Sequence, residues 1–296
     1  MTVASQHAHP GTVCLTFDFD TMAAWMGSFQ ARTPGILSRG EFGGRVGIYR
    51  ILDVLARYEI PGTFFIPGYT ADSFPDAVRE IAAQGHEIGH HGYLHEQMKG
   101  IDAATEARYL DRGLEALDRV AGLRPVGYRA PWWETNWHTP RLLSERGFLY
   151  DSSLLDGDIP YRFAVEPGSA DTLIEIPVDW ALDDWEQYAC YPGVMGSGII
   201  ESPAKVLEMW GLEAEAHHLE GGCFVLTNHP FISGRPSKAV ALERLIEKVR
   251  NMDGMWVTTL GEIAAHTENA CAESVVHTRF EVPTFPDVDI RPIPAP

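Results

Sequence analysis

Basic residues are scarce in this chain of 296: 23 lysines and arginines stand against 41 aspartates and glutamates, a formal charge of −18. So acidic a surface repels phosphate, which argues against nucleic acid or an anionic membrane as partner and leaves a small or uncharged molecule. Cysteine is sparse as well. Cys14, Cys190, Cys223 and Cys271 lie far apart with no C-x-x-C spacing, so neither a zinc ribbon nor a disulfide framework is expected, and the thiols are read as reduced. Nowhere do about 18 apolar residues run together, which excludes an obvious membrane span. The opening Met1 to Pro10 has no basic n-region and no apolar h-region, and the expected location is the cytoplasm. No stretch has the composition of an interdomain linker. One domain over 1–296 is expected, with its core at about 13–264 and an extended, proline-rich tail at 268–296. Self-assembly into a homo-oligomer is left open.

What the chain does have is a recurring alternation. Val13 to Phe17 is a short apolar run too brief for a helix and ends in Asp18-Phe-Asp20. Thr21 to Gly44 has no clean period and reads as a long loop. From Arg45, Ile48, Ile51, Leu52 and Leu55 fall at helical spacing, Pro61-Gly62 stops them, and Thr63 to Ile66 is a strand. The unit repeats with Pro75 to Gly85, with the striped helix through Leu110, Leu114 and Leu117 before a strand at Pro125 to Arg129, and with Thr139 to Gly147 before Phe148 to Tyr150. Leu173 to Ile176 follows, then an irregular Asp179 to Ser202 insertion. Ser202-Pro203 opens a further helix, Cys223 to Thr227 is a strand ending at Asn228-His229-Pro230, and a last helix and strand run over about 237–251 and 255–259. Largely unbroken apolar strands imply a parallel sheet covered on both faces. The expected fold is α/β, a single distorted (β/α) barrel of about seven parallel strands, with an open doubly wound sheet second.

In such barrels the C-terminal strand ends carry the chemistry. That rule selects Asp18, Asp20, His91, His95, Arg129, Trp132, Asp151, Asp179 and His229. The richest stretch is Gly85 to Glu96, where His86, His90, His91 and His95 crowd together. In an extended segment side chains alternate, so His86 and His90 share one face and His91 takes the other. Two histidines do not make a catalytic metal site, because zinc in such sites takes three protein ligands and keeps one position for water. A carboxylate from elsewhere is needed.

Thr16-Phe-Asp-Phe-Asp20, His91-Gly-Tyr-Leu-His95, Arg129-Ala-Pro-Trp132, Asp151-Ser-Ser153 and Leu226-Thr-Asn-His-Pro230, in that order, resemble the motifs of the polysaccharide deacetylase (NodB-homology) family of metal-dependent hydrolases. The resemblance spans about 13–264 and implies the distorted barrel. It also implies that Asp20, His91 and His95 hold one divalent transition metal, zinc first, that Asp18 is the general base, that Arg129 orients Asp18, and that His229 is the general acid.

Two departures bear on substrate: the family's usual adjacent aspartates are here Asp18-Phe-Asp20, and its usual Arg-Pro-Pro is Arg129-Ala-Pro. They resemble the branch that holds cyclic imide and cyclic amide hydrolases together with atypical peptidoglycan deacetylases. The expected activity is opening of a small cyclic imide or amide. N-deacetylation of amino sugars or peptidoglycan is the alternative, and an inactive metal-stabilised binding module a further one. Trp25, Trp132, Trp133, Asp151 and Trp180 are the expected substrate contacts, with the Thr21 to Gly44 loop and the Asp179 insertion as a roof.

Overall fold

Strand and helix alternate as the apolar patterning requires. In the computed structural model, which describes residues 11–191 and 199–270, β1 (Gly11–Asp18) is buried on both faces along nearly its whole length, as a covered parallel strand must be. A π-turn at Ala24–Ser28, helix α1 (Pro34–Phe42) and a second π-turn at Gly43–Gly47 lead directly into α2 (Ile48–Tyr58). The expected loop over Thr21 to Gly44 is thus corrected to a largely helical segment. Its packing runs through glycines, which leave no hydrophobic period to read: a Cβ at Gly40 would stand 2.3 Å from the Thr21 carbonyl oxygen.

β2 (Thr63–Ile66), α3 (Gly68–Ser73), α4 (Pro75–Ala83) and β3 (Glu87–His90) come next, then α5 (Ala103–Ala121), capped by Asp102 at its start and by left-handed Gly122 at its end. β4 (Gly127–Tyr128), α6 (Thr139–Glu145) and β5 (Tyr150–Asp151) are short. β6 (Tyr161–Ala164) and β7 (Thr172–Glu175) precede α7 (Asp184–Tyr188), which lies inside the stretch expected to be irregular; residues 192–198 of that stretch lie outside the described residues. The remainder is α8 (Pro203–Glu220), β8 (Cys223–Asn228), α9 (Pro230–Ser233), α10 (Pro236–Arg250), β9 (Met255–Val257) and α11 (Leu260–Ala270). The expected tail therefore begins as helix at 268–270, and its remainder, with Cys271, lies outside the described residues.

Among the described residues the sheet has nine strands in the order β6-β7-β5-β4-β3-β2-β1-β8, with β9 also on β1. All pair in parallel except β6, which lies antiparallel to β7. One edge of β1 is shared: β9 takes Gly11 to Val13 and β2 takes Thr16 to Asp18. The sheet curls into a distorted (β/α) barrel whose β7 to β8 seam is joined by a single parallel bridge, Asp183 to Thr227. Pro177, two residues past β7, has no N–H to extend the ladder.

The core gathers around β1, where Phe17 stacks on Phe64 with ring centroids 4.7 Å apart. Ile48, Ile51, Leu52 and Leu55 bury one face of α2, each contributing about 1.5–3 kcal/mol of transfer free energy. At the N-terminal barrel end the half-buried Glu87 accepts from Thr63, Tyr150 and the Gly261 amide at 2.8–2.9 Å, tying α11 across the opening. Cys14, Cys190 and Cys223 are free thiols, and among the described residues no helix is long and apolar enough to cross a membrane.

Candidate active site

The opposite end of the barrel gathers buried charge. Asp18 closes β1, Asp20 stands two residues on, His91 follows β3, Arg129 follows β4 and His229 follows β8. All five are at least nine-tenths buried, and so is His95. Parallel register puts these ends together: Asp18 pairs with Phe65 across to β2, and His90 pairs with Tyr128 across to β4.

Asp20 sets the character of the site. Both of its carboxylate oxygens are buried and lack any hydrogen-bond partner. One stands 3.5 Å from His91 Nε2; the other stands 3.5 Å from His95 Nε2 and 3.7 Å from His229 Nε2. Those separations are too long for hydrogen bonds. The tautomers explain why. His91 Nδ1 donates to the Arg129 carbonyl at 2.7 Å, and His95 Nδ1 donates to Ser28 Oγ at 2.6 Å while that hydroxyl donates to the His95 carbonyl. Each neutral ring therefore turns a bare Nε2 lone pair toward Asp20, and burial holds His91 neutral by lowering its pKa to about 3 and lowers that of His95 as well.

A bound cation relieves the repulsion of acceptors that face acceptors across a buried gap. Two ligand atoms each about 2.0–2.1 Å from one tetrahedral ion stand about 3.4 Å apart, close to what these atoms adopt. The tied-off Nδ1 atoms are the outer-shell partners such ligands require. Burial raises the Asp20 pKa to about 8, partly countered by His229, a penalty that a bound cation reverses. The donor set of Asp20, His91 and His95 thus fits a divalent transition metal.

Local backbone serves this arrangement. His95 sits at φ 56° in the left-handed region, and the turn carrying Ser28 approaches it so closely that a Cβ at Gly27 would lie 1.8 Å from the Leu94 carbonyl oxygen. Only glycine fits there. His86 and His90 do take the other face. His90 Nε2 donates to the Leu110 carbonyl of α5, and His86 accepts from the Gly62 amide.

Asp18 lies beside the trio, its Oδ2 3.8 Å from His91 Nε2. Its Oδ1 accepts from Arg129 Nη1 at 2.9 Å. The fully buried guanidinium also donates to Thr16, Thr227 and Ser152 and lies 4.3 Å over the Phe65 ring. So many fixed partners hold one oxygen of Asp18 and leave the other facing the cleft.

His229 faces the trio from β8, and two residues that the sequence reading passed over control it. Its Nδ1 donates to Asp184 Oδ1 at 2.7 Å and lies 3.6 Å from Asp183. Asp184 also accepts from the His229 and Ser233 amides and from the Ser233 hydroxyl. Burial alone would lower the His229 pKa, but Asp183, Asp184 and Asp20 together raise it to about 10. The signal for these aspartates was the adjacent Asp183-Asp184 before an aromatic helix start; it was hidden in a stretch with no hydrophobic period.

The cleft over these groups spans about 430 Å³ including its mouth and is walled by Phe29, Trp132, Trp133, Trp180 and Trp185, with Glu186 at its lining. Trp132 and Trp133 both adopt left-handed backbone, φ 63° and 54°, strain of about 1–3 kcal/mol each that a site retains when it positions side chains. Two expected substrate contacts are corrected. Trp25 is fully buried behind the wall, stacked on Trp185 at 5.4 Å, because its helical turn packs inward. Asp151 is buried in β5 and accepts from Ser153 rather than lining the cleft. Asp179, also selected by the strand-end rule, is exposed and caps a turn through the Ala181 amide.

A barrel whose strand ends gather two histidines and an aspartate between an arginine-paired carboxylate and a further histidine brings together the side chains that hydrolytic sites use. The family model for polysaccharide deacetylase matches residues 6–150. The Helicobacter pylori peptidoglycan deacetylase is 33% identical over 271 residues, covering 83% of this chain and 92% of that one. A Mycobacterium smegmatis crystal structure assigned to the polysaccharide deacetylases superposes with TM-score 0.88 at 47% identity, covering 96% of this chain and 98% of the other. The crystal structure of Puue allantoinase shares the fold, with TM-score 0.77 at 23% identity over 90% of this chain and 95% of its own. The chain belongs to the polysaccharide deacetylase family, hydrolases of amide C–N bonds.

Proposed function

We propose that the protein removes an acetyl group from the nitrogen of an amino sugar by metal-assisted hydrolysis at this cleft. The observation that carries the reading is Asp20, whose two unpartnered buried oxygens face the bare Nε2 atoms of His91 and His95 while Asp18 and His229 flank them. Kinship with a protein named peptidoglycan deacetylase supports the acetyl amide over the ring that the motif departures suggested. Asp20, His91 and His95 would hold the metal, zinc being first choice for an imidazole-rich set.

When bound, the metal polarises the acyl oxygen and lowers the pKa of the attacking water towards about 7. Asp18 takes the water's proton at Oδ2, because Arg129 occupies Oδ1. Oxygen adds to the acyl carbon, the C–N bond breaks, and the departing nitrogen takes a proton from His229 Nε2. Asp184, on Nδ1, keeps the imidazolium charged and aimed. The aromatic walls exclude bulk water.

A second reading is kept for one observation: five aromatic rings shape the cleft, which suits a compact planar ring, and a fold neighbour is named allantoinase. Ring opening needs the same parts. The test is kcat/KM of metal-loaded protein on N-acetylglucosamine oligomers beside succinimide, hydantoin and dihydropyrimidine rings. Faster acetate release is expected; faster ring opening reverses the order, and no hydrolysis of any compound rejects both readings.

The acid's support has its own signature. His229, at about 10, loses its proton as pH rises through that value. Asp184→Asn removes one of the negative groups holding that proton, so the alkaline limb of kcat/KM is expected to move to lower pH with the acid limb in place. An unmoved alkaline limb would detach Asp184 from the acid.

A further inference from the structure

The cleft carries one carboxylate that takes no direct partner from the hydrolytic groups. Asp18 pairs with Arg129 at 2.9 Å, Asp183 and Asp184 face His229 Nδ1 at 3.6 and 2.7 Å, and Asp20 faces the two ligand imidazoles. Glu186, on the first turn of α7, is exposed at the cleft lining with no direct hydrogen bond or ion pair among the described residues; burial nudges its pKa up and the more distant His229 charge partly counters that. No lysine or arginine lines the cleft to meet it. The same cleft is lined by the rings of Phe29, Trp132, Trp133, Trp180 and Trp185, and the Trp185 ring lies 5.3 Å from that of His229.

Aromatic faces carry negative quadrupole charge, and several of them lining one cleft with a carboxylate form the environment that attracts an organic cation. A neutral sugar ring would instead need several fixed donors and acceptors. Apart from the hydrolytic groups, the side chains of the lining offer one acceptor, Glu186, and the indole N–H donors of its four tryptophans, of which that of Trp132 is buried without a partner. The chain's charge of −18 adds a field that draws cations in.

We propose that the cleft selects a cationic substrate: an N-acyl amine whose amine half carries a second, protonated nitrogen, held between the aromatic rings and the Glu186 carboxylate. An amino-sugar pair with one amine already free belongs to this class, as does a monoacylated diamine. The proposal rests on the amide-hydrolase reading and narrows it. Water adds to the acyl carbon, the C–N bond breaks as His229 protonates the departing nitrogen, and the released acid then gives up its proton to the free amine, so the products are a carboxylate and an amine with one more positive charge than the substrate. The indole N–H of Trp132 is left for an acceptor on the acyl side.

Two matched pairs test it with metal-loaded protein: N-acetyl-1,4-diaminobutane against N-butylacetamide, and monoacetylated against fully acetylated chitobiose at a pH that protonates the free amine. In each pair that is cleaved, kcat/KM is expected to favour the cationic member by about tenfold or more, mostly through KM. That ratio should fall to near one in Glu186→Gln. Tryptophan fluorescence titrated with 1,4-diaminobutane provides a reading independent of turnover: saturable in the parent protein, and about tenfold weaker in Glu186→Gln. Equal rates within a pair, an unchanged ratio in the variant, or no saturable signal with the diamine overturns the proposal. Absence of acetate release from every compound rejects the deacetylase reading instead, and the diamine titration then still decides whether the cleft takes a cation.

Discussion

His95→Ala protein is expected to lose its metal and its amide hydrolysis together, with turnover falling by about 10³-fold or more. The reasoning is geometric. His95 Nε2 and His91 Nε2 each stand 3.5 Å from an Asp20 oxygen, so removing one imidazole leaves two ligands, one short of what a catalytic zinc holds. Polarisation of the carbonyl and activation of water together supply several kcal/mol, and each 1.36 kcal/mol is worth about tenfold in rate. His90→Ala is the control, since that ring bonds to the Leu110 carbonyl on the far face; its protein should keep the metal. Metal content measured by mass spectrometry decides, and full occupancy in His95→Ala would show that the ligand set is wrong.

Asp18→Asn should behave differently: metal retained, turnover down by about 10²- to 10⁴-fold, the usual contribution of a general base. The complication is Arg129, because removing the partner of a buried charge costs about 3–5 kcal/mol when nothing else compensates. Here much does. Thr16, Thr227 and both Ser152 oxygens stay bonded to the guanidinium, and the asparagine oxygen can still accept from Nη1. The variant is therefore expected to fold, with a modest drop in Tm, which separates lost chemistry from lost structure. Loss of metal with activity would make Asp18 a ligand.

How much of this was legible in the sequence depended on whether a residue's role is written in a local pattern. The barrel was legible because β1, β2 and β8 are apolar runs of strand length closed by glycine, proline or charge, and α2 and α5 carry clean stripes. The convergence of Asp18, Asp20, His91, Arg129 and His229 followed from the rule that parallel strands end on one face. The segment from Thr21 to Gly44 was not legible, because its helices pack through glycines rather than an apolar stripe. Nor was Asp184: its role comes from the return of α7 across the β7 to β8 seam, a tertiary event fixed by the bridge between Asp183 and Thr227. Trp25 failed for a related reason, since tryptophan content announces a wall but not which side of it a ring occupies.

The most direct test of metal-assisted amide hydrolysis in this cleft is a titration of stripped protein with zinc, following acetate release from an N-acetylated amino sugar and bound metal in the same samples. Both signals are expected to rise together and break at one equivalent per chain, with Asp20→Ala flat in both. Acetate release at full rate from metal-free protein, or one equivalent bound with unchanged affinity in Asp20→Ala, would contradict the account.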